Sequence, residues 1–184
     1  MALTESTMLE LGTQAPDFAL TDVTTGNLVR RDDFRGKALL VMFICTHCPY
    51  VKHIEKTLGK LGNDYAGKQL AIVAICSNDV ENYPADRPEG LKAQAASFGF
   101  PFPYLHDESQ AVAHAYKAAC TPDFFLFDSE QRLVYRGQYD SSRPGNGVPV
   151  TGEDLCAAID TVLAGKPVSP DQRPSIGCNI KWRS

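Results

Sequence analysis

Cys45 and Cys48, separated by Thr46 and His47 and followed by Pro49, form the stretch of this chain whose residue types and spacing speak most directly of chemistry. Two thiols three positions apart, where an apolar run stops and a helical pattern begins, can close a small disulfide, so the leading reading is electron exchange with other thiols. A helix N-terminus concentrates free backbone N–H groups and the positive end of the macrodipole, which favours thiolate over thiol and makes one sulfur nucleophilic. An imidazolium at His47 would stabilise that thiolate further. Pro49 fits the first turn of a helix, where its missing N–H costs little.

The elements that must position these residues are legible on both sides. Leu39 to Ile44 is a continuous apolar run introduced by Gly36-Lys37 and reads as a buried strand. Val51, Ile54, Leu58 and Leu61 follow at helical spacing, with Gly62-Asn63 or Gly67 as the stop. Leu70 to Ile75 is a second strand covered on both faces, as in parallel pairing. Strand, helix, strand is a βαβ unit. Before it, residues 15–21 and 28–29 flank a turn at residues 24–27, an N-terminal hairpin. After it comes a polar loop from Ser77 to Gly90, a lid or a plain surface connection. Its carboxylates Asp79, Glu81, Asp86 and Glu89 read best as keeping it soluble. Leu91, Ala95 and Phe98 mark a helix. Asp107 to Gln110 looks like a capping box for another that runs to Ala119. Phe124 to Phe127 and Leu133 to Tyr135 form a hairpin, and Thr151 caps a last helix that Gly165 and Pro167 end. The tail, 168–184, has no period.

Composition bounds the rest. A chain of 184 residues with 43% hydrophobic and 22% charged residues is expected to be one domain, 1–184, with a core that needs no disulfides. Its net charge of -4 comes with no basic patch, so neither nucleic acid nor an anionic membrane surface is an expected partner. No apolar run approaches the roughly 20 residues that span a bilayer. The first eleven residues carry Glu5 and Glu10 and lack the basic start and apolar core of a secretory signal, so the expected location is cytoplasmic. Six cysteines are too sparse for a disulfide scaffold and point instead to catalysis, metal binding or burial.

This order of elements resembles the thioredoxin fold: an α/β architecture with an N-terminal β-hairpin extension, a central mixed sheet flanked by helices, and an irregular C-terminal tail. The resemblance runs from about Leu11 to about Leu163. Gly12 to Leu20 and Phe34-Arg35-Gly36-Lys37 look like the peroxiredoxin and redoxin (AhpC/TSA) branch. Thr121-Pro122 resembles the threonine and cis-proline segment that thioredoxin-like proteins set opposite their cysteines. Phe43 to His53, with Gly177 to Trp182, looks like a small group of bacterial peroxiredoxin-like proteins.

The resemblance implies roles. Cys45, more open to solvent, would be the attacking thiolate, and Cys48, one turn deeper, would resolve the mixed disulfide. Pro122 would carry a cis bond, and Thr121, Thr46 and Pro49 would meet the substrate. The partner would be a protein thiol or disulfide, or a thiol reductant, with no cofactor. Within the same branch a thiol peroxidase is the competing reading, with Cys48 as the peroxidatic cysteine. Cys45 then stands where such an enzyme has threonine, and Pro122 about where it has arginine, and both differences favour dithiol exchange. A copper or zinc site at Cys45, His47 and Cys48 is the alternative from another class, but adjacent ligands on one short turn seldom close a tetrahedral site, and His53 or His106 would have to approach. A binding or regulatory module that kept the fold and lost turnover is a third possibility. Cys120 reads as buried and inert, Cys76 and Cys156 as core. Cys178 would become an additional resolving thiol only if a mobile tail brought it to Cys45.

Overall fold

The computed structural model describes residues 3–184. At its centre β4 (Ala38–Phe43) and β5 (Leu70–Cys76) run parallel, in register from Ala38 opposite Leu70 to Phe43 opposite Ile75. Every β4 residue is buried, as an unbroken apolar run demands of a strand covered on both faces. Alternation then splits the side chains between two cores. Leu40 and Met42 join α1 (Pro49–Asp64), α2 (Pro88–Phe98) and α4 (Glu153–Leu163), while Leu39, Val41 and Phe43 join α3 (Ala111–Tyr116).

The remaining strands extend this pair. With β2 (Ala19–Asp22), β3 (Leu28–Arg30), β6 (Tyr104–His106), β8 (Asp123–Phe127) and β9 (Leu133–Arg136), the sheet runs β3-β2-β6-β5-β4-β8-β9. β6 is parallel to β5, and β8 is antiparallel to β4. The expected hairpins are β2-β3 and β8-β9. α1 follows the expected spacing and buries Val51, Ile54, Leu58 and Leu61. No helix among the described residues is long and apolar enough to cross a membrane.

Three expectations are corrected. The helix expected from the capping box at Asp107 starts only at Ala111, because Gln110 takes a left-handed φ of 65°. Asp107 and Ser109 accept from the Ala113 and Ala111 amides instead. It stops at Tyr116, not Ala119, where Lys117 is again left-handed. The Ser77 to Gly90 segment is no free surface loop: it contains a 3-10 turn, Pro84–Asp86, and the start of α2, and Asp86 is 0% exposed.

The third correction is the largest, since the tail is irregular except for one strand. Ile176–Asn179 is a strand, β10, lying between β1 (Leu3–Glu5) and β7 (Cys120–Thr121) in a separate antiparallel sheet, with Cys178 opposite Thr121. Gly177 makes this possible. A Cβ there would fall on the Thr121 carbonyl oxygen, so only glycine lets the two backbones approach so closely. Ile180 is buried in the second core, and its amide donates to Ala119 O at 3.0 Å.

Candidate functional site

β4 delivers Cys45 just beyond its C-terminal end, and α1 begins at Pro49, so Cys48 occupies the N-cap position. No side chain caps this helix. The Cys48 sulfur therefore lies at the positive end of a 16-residue helix, where a negative charge is stabilised. Opposite it runs the segment from Thr121 to Pro122, whose peptide bond is cis as expected. Thr121 O is 3.2 Å from Cys48 Sγ, and Thr121 Oγ1 is 3.5 Å from Cys45 Sγ.

Neither thiol of the pair is open to solvent, which departs from the expectation for Cys45. Cys45 and Cys48 are both 0% exposed, and Cys178 is 4% exposed. Cys45, expected to be the open one, lies beneath the 3-10 turn and the Thr121 side chain. Cys178 meets the other thiol of the pair. Its Sγ is 2.7 Å from Cys48 Sγ, which puts Cys48 at the crossing of three thiols.

Electrostatics separate them further. A hydrogen bond from the Cys45 thiol holds the Cys48 pKa well below the ordinary thiol range, against the cost of burial. The Cys178 thiol and the amides of Val51 and Cys178 add to that lowering. In the thiol form, the Thr121 carbonyl and the Cys178 sulfur are the acceptors within reach of Cys48. Cys45 is pushed the other way, by donating to Cys48, by burial and by the Asp86 carboxylate. The negative charge of the reduced site thus rests on Cys48.

Sequence reasoning missed Asp86. Its Oδ1 accepts from the Thr46 amide at 2.8 Å and the Thr46 hydroxyl at 2.6 Å, and its Oδ2 from Asn78 Nδ2 at 2.8 Å, with His47 Nδ1 2.7 Å away. Burial alone would raise its pKa, but the bonds from His47, Thr46 and Asn78 outweigh that and hold it low. An ionised Asp86 assigns the proton to His47 Nδ1. His47 neither points freely into solvent nor bonds a sulfur. It stacks on Tyr83 with ring centroids 5.1 Å apart, and its buried Nε2 has no hydrogen-bond partner. Gln94 completes the clamp by donating to Cys45 O at 3.2 Å while accepting from Tyr104 OH at 3.0 Å. A clue to Asp86 was present in the backbone: Thr46 at the start of a turn needs an acceptor for its amide, and the acidic loop was the nearby supply.

Thr46 and His47 are half-buried, Pro49 is exposed, and Thr121 is buried. Cys120 is fully buried, and burial raises its pKa far above the usual range. Cys76 is core, whereas Cys156 is only half-buried. For a metal, the donors that converge are Cys45, His47 and Asp86, within 4.8 Å of one another. Neither expected histidine joins them: His53 contacts Ser142 Oγ at 3.2 Å, and His106 lies on β6. Asp86 and His47 are hydrogen-bonded to each other, and both Asp86 oxygens also accept from protein donors.

Comparison with known proteins agrees with this architecture. The AhpC/TSA family profile matches residues 11–136. The chain is 30% identical over 125 residues to the thiol-disulfide oxidoreductase ResA of Geobacillus kaustophilus (strain HTA426), covering 68% of this chain and 67% of that protein. A conserved Geobacillus kaustophilus protein of known crystal structure superposes with a TM-score of 0.97 at 56% identity, covering 100% of this chain and 97% of that one. The thioredoxin domain of a thiol-disulfide oxidoreductase from Bacteroides vulgatus shares the fold, with a TM-score of 0.66 at 23% identity over 84% of this chain and 99% of that domain.

Proposed function

We propose that this chain, which belongs to the AhpC/TSA family, is a thiol-disulfide oxidoreductase that exchanges a dithiol at Cys45 and Cys48 with the disulfides of protein or small-molecule thiol partners. The observation that carries the reading is the Cys48 sulfur at the N-cap of α1, hydrogen-bonded by a neighbouring thiol and facing a cis-proline. The name of the ResA relative supports it.

The steps follow from the charge distribution. Cys48 thiolate attacks one sulfur of a partner disulfide, forming a mixed disulfide and expelling the other sulfur as a thiolate, which takes up a proton. Cys45 then gives up its proton and attacks Cys48 Sγ. The partner's remaining sulfur leaves with a proton, and the protein holds a Cys45–Cys48 disulfide. The partner has gained the two electrons that the dithiol lost. Once Cys48 is bonded to a partner, its thiolate no longer holds Cys45 protonated, so the second attack becomes easier as the first is completed. Asp86 fixes the turn between the two sulfurs through Thr46 and His47. Because Cys48 is closed to solvent, a partner meets it only when β10 or the 3-10 turn gives way.

The test is reduction of a disulfide substrate and, separately, of hydrogen peroxide by wild type, Cys48→Ser and Cys45→Ser. Disulfide reduction is expected to fall by at least about 100-fold in Cys48→Ser, with slow peroxide consumption by comparison. Fast peroxide consumption that survives Cys45→Ser, without disulfide reduction, would establish the peroxidase instead.

A further inference from the structure

We propose that Cys178 is a third redox-active thiol, which takes the disulfide over from Cys45 by bonding to Cys48 and so carries it to the edge of the site. This deepens the dithiol reading and rests on it for the reactivity of Cys48.

Three observations place Cys178 in the reaction. Its sulfur is 2.7 Å from Cys48 Sγ, so exchange needs no large movement of either backbone. It is held there rather than passing by: Gly177 lies on Thr121 O, Ser175 Oγ donates to Pro122 O at 2.7 Å, and the Lys181 amide donates to Asn78 Oδ1 at 2.8 Å. The cis-proline segment that faces the dithiol is thereby also the partner of β10. Finally, Cys178 is the least buried of the three residues, at 4% exposed against 0% for Cys45 and Cys48.

The step balances without an added oxidant. Starting from the Cys45–Cys48 disulfide, Cys178 gives up its proton and attacks Cys48 Sγ. The Cys48–Cys178 bond forms as the Cys45–Cys48 bond breaks, and Cys45 leaves as a thiolate and takes up a proton. One disulfide replaces another, and no electrons are gained or lost. In the reduced protein Cys178 is held protonated by burial and by the hydrogen bond and charge of Cys48. The last two vanish once Cys48 is oxidised, while the nearby Lys181 cation still favours the Cys178 thiolate. Burial still opposes ionisation, but Cys178 gives up its proton more easily in the oxidised state, when a relay would use it.

The experiment treats wild type, Cys45→Ser, Cys178→Ser and Cys45→Ser/Cys178→Ser with excess oxidised glutathione, blocks free thiols, and maps linked peptides by mass spectrometry. Cys45→Ser is expected to give the Cys48–Cys178 peptide as its main product, and the double variant to remain glutathionylated on Cys48. A Cys45→Ser protein glutathionylated on Cys48 with Cys178 still free to alkylate would overturn the relay. Should Cys45→Ser not fold, wild type decides: Cys48–Cys178 alongside Cys45–Cys48 supports the relay, and Cys45–Cys48 alone refutes it. Cys178→Ser tests the dithiol separately, because its failure to form Cys45–Cys48 would remove that reading whatever Cys178 does.

Discussion

At the scale of the residue, one sulfur among six differs in charge. Cys48 is the cysteine whose pKa is lowered to about 5, first by the Cys45 thiol and then by the Cys178 thiol and the amides of Val51 and Cys178, while Cys45 is raised. The sign is testable. Because the native thiolate persists below the ordinary thiol range, alkylation of Cys48 by iodoacetamide should continue at pH 6 and decline only as pH falls through about 5, with peptide mapping to identify the site. A rate that falls through the usual range near pH 8.5 would contradict it. Cys45, Cys48 and the cis Pro122 were legible in the sequence because each carries its meaning in a local motif. Asp86 was not, since it lies 39 residues beyond His47 and only folding turns a loop carboxylate into the acceptor that the turn requires. The hydrogen bond between the two thiols was illegible for the same reason, and with the burial of Cys45 it is what places the thiolate on Cys48.

At the scale of the element, the βαβ unit and both expected hairpins could be read because unbroken apolar runs and helical spacing leave little choice. β10 could not. It is four residues long, and its Gly-Cys-Asn core has weak strand propensity. Its pairing with β7 is decided by the contact between Gly177 and Thr121, which no local pattern announces. The consequence for function is that β10 both carries Cys178 and covers Cys48. In Gly177→Ala the added methyl must push β10 off Thr121 O, since backbone cannot yield as a flexible side chain would. The expected cost is about 1–3 kcal/mol in urea unfolding, together with faster alkylation of Cys48 in the native protein. Unchanged stability and unchanged alkylation would mean that β10 does not depend on this contact.

At the scale of the whole molecule, the site rests on a core that is apolar almost throughout, with Asp123 as an exception. It opens β8 directly after Pro122 and is 0% exposed. Its Oδ2 accepts from the Ala119 amide at 3.3 Å. Burial raises its pKa to about 7 despite the Ser6 hydroxyl and the amides of Ala119, Phe124 and Cys120, which favour the carboxylate. Between the ordinary carboxyl range and pH 7, the native state therefore keeps a proton that the unfolded chain has lost, and stability falls as pH rises through that window. The loss is on the order of 2–4 kcal/mol across the whole interval. Urea unfolding at pH 5 and pH 8 should show this loss in wild type and much less of it in Asp123→Asn. Equal pH dependence in the two proteins would exonerate Asp123.

The central claim, that Cys48 is the sulfur that attacks, is tested most directly by trapping the covalent intermediate. Cys45→Ser/Cys178→Ser and Cys48→Ser are each reduced, mixed with an aromatic disulfide that releases a coloured thiol, quenched in acid and mapped by mass spectrometry. The account predicts a stable mixed disulfide on Cys48 in the double variant, with one equivalent of thiol released, and slow or no reaction in Cys48→Ser. A rapid mixed disulfide on Cys45 in Cys48→Ser, with an unreactive double variant, would contradict it.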